Sequence, residues 1–150
     1  MKTISVSWNN SNQLFRLILK KDIHIPEVTD VAIAAVFEYN DIYKTDDWNV
    51  YIINKKSVDL ELVVIVSQGF SDKKTTSLFR KKLDVLPANS FAKIELIQPE
   101  LFKLNNRFQV TFFEENTLFE KTFVFKENTL KEGVLRMIPE LGKRGILASV

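Results

Sequence analysis

The chain has 150 residues, 45% of them hydrophobic and 27% charged, with a formal net charge of +2 and no cysteine. That length suits one domain with a core of its own, and the lack of cysteine removes disulfides, thiolate catalysis and cysteine-based zinc or iron–sulfur sites. A charge this mild does not by itself imply a nucleic-acid or membrane partner. Phe is overused, with twelve copies against three Tyr and two Trp. A ring without a polar handle belongs mostly in the core. Only four Gly and four Pro are present, which argues against a linker, a collagen-like repeat or a disordered segment.

In chain order, TISVSW (3–8) alternates Ile4, Val6 and Trp8 on one face, NNSNQ is turn-like and LFRLILK (14–20) follows, so residues 1–20 predict an extra N-terminal hairpin. The run LFRLIL is too short for a secretory core and contains Arg16, and no segment approaches the ~18 apolar residues of a membrane helix. No membrane partner is expected, and the cysteine-free composition leans cytoplasmic. KDIHIP breaks the chain at Pro26. Residues 28–43 fit two templates. A helix collects Val28, Val31, Ala32, Ala35, Val36, Tyr39, Ile42 and Tyr43 but leaves Ile33 and Phe37 on the wrong side. A strand collects Val31, Ile33, Ala35, Phe37 and Tyr39 with fewer violations, and is the favoured reading.

WNVYIIN (48–54) puts Trp48, Val50 and Ile52 on one face and Asn49, Tyr51 and Ile53 on the other. After the polar NKKSVD, the pattern assigns Leu60, Leu62, Val64 and Val66 to one face of a central strand, with Val63 and Ile65 opposite. Trp48 is expected inside, near Leu62 or Val64. SQGFSDKK reads as a loop, TTSLFRKKLDVL as a strand with Lys81 and Lys82 outward, and LPANS as a turn. FAKIELI alternates again, and QPELFKLNN crosses over. RFQVTFFEE aligns Phe108, Val110 and Phe112, EENT turns the chain, and LFEKTFVFK aligns Phe119, Phe123 and Phe125. The last fourteen residues, MIPELGKRGILASV (137–150), read as an irregular tail whose Ile146 and Leu147 dock on an open sheet edge, in their own chain or in a neighbour. The whole pattern predicts a single all-β domain, an antiparallel immunoglobulin-like sandwich of seven strands with N- and C-terminal extensions, with a small barrel as the other option.

KDIHIPEV (21–28), WNVYIIN (48–54), LPANSFAKIE (86–95) and NTLFEKTFVF (116–125) together resemble a small group of short, functionally uncharacterised bacterial proteins, over most of the chain from Lys21 onward. Some members carry the label phenylalanyl-tRNA synthetase alpha subunit. A class II synthetase catalytic domain is larger and needs an arginine-bearing motif on a strand pair and a Gly-rich motif ending in arginine. GKRG (142–145) is the nearest fragment here, without that context. The resemblance implies a common fold and no activity.

Residues with reactive chemistry are sparse. His24 is the single histidine and sits between Ile23 and Ile25, before Pro26, where an ordinary structural or surface role is expected. Asp46–Asp47 and Glu114–Glu115 are adjacent pairs, and neighbours on a strand point to opposite faces, so neither forms a two-acid site alone. No phosphate-binding glycine loop and no calcium-loop spacing occurs, and no catalytic residue, cofactor or metal is expected. The basic residues Lys73, Lys74, Arg80, Lys81 and Lys82, with Phe70 and Phe79 nearby, resemble a single-stranded nucleic-acid surface, though Asp72 and Asp84 interleave. An edge hairpin kept soluble by lysines accounts for the same residues. The leading expectation is a non-enzymatic interaction module with a protein partner or a second copy of itself. Its candidate surface is Phe70, Lys73, Lys74, Arg80, Lys81, Lys82, Ile146 and Leu147. A nucleic-acid binder using 70–82 comes second, and an enzyme with an acid pair assembled in three dimensions comes third.

Overall fold

A computed structural model describes residues 28–150. The predicted N-terminal hairpin and His24 lie outside the described residues.

The ambiguous segment forms β1 (Val31–Asn40), a strand, as the alternation favours. Both of its faces are apolar near its start, and Ile33, Ala34, Ala35 and Val36 are all fully buried. The Asn40 side chain then accepts hydrogen bonds from the backbone N–H of Ile42 and Tyr43 and turns the chain into β2 (Thr45–Asn54). These strands pair along their whole length, from Val31 opposite Asn54 to Asn40 opposite Thr45. Then come β3 (Leu60–Phe70), β4 (Phe79–Leu86), β5 (Ser90–Ile97), β6 (Asn105–Glu114) and β7 (Thr117–Phe125). The predicted crossover before β6 is a short 3-10 turn, Pro99–Lys103. EENT is the tight hairpin turn expected, with Glu115 and Asn116 both at positive φ, as a two-residue connection whose twist matches its strands requires.

Two antiparallel sheets pack face to face. One has five strands in the order β5-β2-β1-β9-β8, the other four in the order β4-β3-β6-β7. The core between them draws Ile33, Ala35, Trp48, Val50 and Ile52 from the first sheet and Val63, Ile65, Phe108, Val110, Phe112, Phe119, Phe123 and Phe125 from the second. The Phe excess is thus spent mainly on β6 and β7. Phe112 and Phe119 stack at 5.2 Å, and Phe108 and Phe125 meet edge to face at 5.8 Å. Trp48 is inside, as expected, but its ring neighbours are Phe37 at 5.1 Å and Phe102 at 5.7 Å. Leu62, its expected neighbour, is half exposed.

The reason is a bulge. Leu62 sits at φ +49°, and the pairing of β3 with β6 slips between Glu61 and Val64. One inserted residue reverses every later side chain. Leu60 points inward, and past the bulge Val63, Ile65 and Ser67 do, while Leu62, Val64 and Val66 do not. The expected face of β3 therefore holds only up to Leu60.

The C-terminus is the second correction. The tail is not irregular: Arg136–Ile138 is β8 and Lys143–Leu147 is β9, and they form a hairpin whose β9 pairs with β1 of the same chain. Gly145 makes this register feasible, because a Cβ there would lie 2.5 Å from the Ala35 carbonyl oxygen and 2.9 Å from Ile138 Cδ1. Ile138 and Leu141 close over Ala34, Val36, Tyr51 and Ile53 on the outer face of the five-stranded sheet, forming a second apolar cluster. Beyond β9 the chain crosses between the sheets, where Ser149 and Val124 exchange backbone hydrogen bonds of 2.8 and 2.9 Å. Among the described residues, no helix is long and apolar enough to cross a membrane.

Candidate interaction surface

The residues singled out by the sequence do not converge. Phe70 is half-buried, with the Arg107 guanidinium 5.1 Å from its ring centroid, so its face is already occupied. Lys73 and Lys74 are exposed in the β3–β4 loop, a turn closed by a hydrogen bond from Ser71 N–H to the Lys74 carbonyl. Arg80 and Lys82 pair with Val66 and Val64 and point outward, whereas Lys81 lies opposite the buried Ile65 and points to the inner side. Strand alternation thus divides a run that is contiguous in sequence. Asp84, 4.0 Å from Lys82, interrupts the outer group further. Ile146 and Leu147 also part company: Ile146 packs against the core, but Leu147 is 57% exposed.

The two acids of each pair have different surroundings. Asp46 is exposed near the start of β2, and Thr45 Oγ1 donates to Asp47. Glu114 pairs with Lys56 at 2.7 Å, while Glu115 is in the turn. Among the described residues no three His, Cys, Asp or Glu side chains are grouped to hold a metal.

One polar cluster was invisible in the sequence. Glu38 of β1 accepts hydrogen bonds from Tyr51 Oη at 2.6 Å, Asn49 Nδ2 at 3.0 Å and the Lys143 ammonium of β9. Burial pushes its carboxyl up, but hydrogen bonds from Lys143, Tyr51 and Asn49 outweigh this and hold it below the usual carboxylate range. Burial and the Glu38 carboxylate raise the Tyr51 phenol well above its ordinary value. Both groups lie on a shallow cleft of about 350 Å³ that Asp41 and Lys93 also line. A carboxylate held by three donors, beside a phenol that keeps its proton, is poorly suited to proton transfer near neutrality. The arrangement acts as a clasp tying β9 to β1 and β2. Glu95 is the other perturbed acid: burial between the sheets raises it, partly offset by a 2.8 Å hydrogen bond from Ser67 Oγ.

An open apolar feature lies elsewhere among the described residues. A groove of about 540 Å³ runs between the β8–β9 hairpin and the segment 128–134. Val134, Met137 and Leu147 line it and are each more than half exposed. Lys131 and Arg136 are its charged lining residues. β8 ends its sheet, so among the described residues one side of it carries no strand partner. The sequence signal was partial: the apolar tail and its edge were legible, but Val134 and Met137 carried no pattern that marked them as exposed.

Compared with known proteins, the chain matches no family model, no curated protein and no solved structure.

Proposed function

We propose that the protein is a non-enzymatic, cytoplasmic interaction module that binds another macromolecule through the groove beside β8. The observation that carries this reading is the exposure of Val134, Met137 and Leu147 around one concave apolar surface at a sheet end. Contiguous apolar surface left in water, next to unpaired strand backbone, is the physical signature of a docking site. The strand order supports the finer, immunoglobulin-like description: β5-β2-β1 faces β4-β3-β6-β7, with the β8–β9 hairpin added beside β1. The resemblance to the uncharacterised bacterial group adds an expectation of shared fold and contributes no partner.

A photo-crosslinking side chain placed at Met137 tests the reading in the native cell, with Lys74 and Thr122 as control positions. Adducts specific to Met137 are expected. Adducts with RNA or DNA at Lys74 and none at Met137 would replace this reading with the nucleic-acid one.

A further inference from the structure

Resting on the groove as the binding site, we infer that its occupant is an extended acidic segment of a partner protein. This segment lies along β8, with apolar side chains against Val134, Met137 and Leu147 and carboxylates facing Lys131 and Arg136. Three features select it. Both charged lining residues are cations, and among the described residues no carboxylate lines the groove. Arg144, whose guanidinium donates to the Leu135 carbonyl at 3.2 Å, adds a third positive charge on the paired strand, opposite Met137. The side of β8 that carries no strand partner among the described residues offers backbone donors and acceptors in strand geometry, which an extended chain matches and a helix does not. Alternation along an extended chain sends successive side chains to opposite faces; Met137 and Arg144 share one face of the hairpin and Arg136 and Leu147 the other, so on each face an apolar contact lies beside a cation.

The same charges disfavour two other occupants. A second copy docked groove to groove would set Lys131 and Arg136 against their own counterparts. Docking of the chain's own apolar stretch LFRLILK would set the charges of Arg16 and Lys20 against a basic wall. Glu132, Glu127 and Glu140 neighbour the groove in sequence, yet none lines it.

The test is selection of random octapeptides on the full chain, with counter-selection on Met137→Asp. Selected peptides are expected to carry two or more Asp or Glu among apolar residues. Their affinity should fall at least tenfold in Lys131→Glu/Arg136→Glu and should weaken as salt rises. Neutral or basic peptides that bind wild type and not Met137→Asp would overturn the acidic occupant while leaving the groove as the docking site. Peptides that bind wild type and Met137→Asp equally would overturn both. Circular dichroism and thermal melting of each variant separate lost binding from lost folding. If a synthetic peptide of residues 14–20 binds more tightly than any selected acidic one, the occupant is the chain itself and this inference fails.

Discussion

The two outer faces of the sandwich are built oppositely. On the five-stranded sheet, Ala34, Val36, Tyr51 and Ile53 point away from the main core and are nonetheless buried, beneath Ile138 and Leu141. On the four-stranded sheet, the corresponding positions of β6 and β7 are Gln109, Thr111, Glu120 and Thr122, joined in register and mostly exposed, with Gln109 Nε2 donating to Glu120. Arg80 and Lys82 continue this wet face on β4, while Val64 and Val66 of the intervening β3 share it and are only partly covered. A sheet with one polar face needs only its partner sheet. A sheet with two apolar faces needs a second cover, and here the last fifteen residues supply it. The C-terminal hairpin is therefore a structural element first, and the groove on its far side is surface left over once that cover is in place.

Deleting residues 136–150 should have the largest effect. It strips Ile138 and Leu141 from the outer face and turns β1 into an edge. Aggregation by light scattering and a collapsed melting transition are expected; a soluble monomer with unchanged melting would show that the first sheet needs no cover. Next, Ile53→Ala on the covered face should cost about 2–5 kcal/mol, whereas Thr122→Ala on the wet face should stay within about 0.5 kcal/mol. Denaturant titration of both variants gives the comparison directly, and equal losses would abolish it.

Gly145→Ala comes third. The added Cβ meets the Ala35 carbonyl oxygen and Ile138 Cδ1. Overpacking at such a site costs about 1–3 kcal/mol. Faster amide exchange confined to β8 and β9 should accompany it, with the β6–β7 amides unaffected.

Glu38→Gln is the smallest and the most sensitive to pH. Losing charge-assisted hydrogen bonds should cost about 1.5 kcal/mol at neutral pH. Because the folded-state pKa of Glu38 is depressed, its contribution is present above the unfolded value and is lost as pH falls through the folded one. The stability difference between wild type and Glu38→Gln should therefore shrink below about pH 4.3. Glu95 has the opposite sign: with a raised folded pKa, its contribution is present below the unfolded value and is lost as pH rises through the folded one. Glu95→Gln should accordingly gain relative to wild type as pH rises through that window. Matching pH profiles for the two variants would refute the assignment.

Much of the strand framework was legible in the residues themselves. The alternation of Trp48, Val50 and Ile52, of Phe108, Val110 and Phe112, and of Phe119, Phe123 and Phe125 determined strands and their buried faces, because a period of two leaves one way to bury one side. Tertiary structure decided what that period cannot encode. The bulge at Leu62 depends on pairing between β3 and β6, so the flipped face of Val63 and Ile65 has no local signature. The burial of Tyr51 and Ile53 depends on Ile138 and Leu141, about ninety residues away. The clasp on Glu38 brings in Lys143, more than a hundred positions distant. Arg80, Lys81 and Lys82 are adjacent in sequence, but alternation sends Lys81 to the other side of its strand. Apolar periodicity is written in neighbouring residues, whereas covers, bulges and exposed grooves arise from contacts between segments that are remote in the chain.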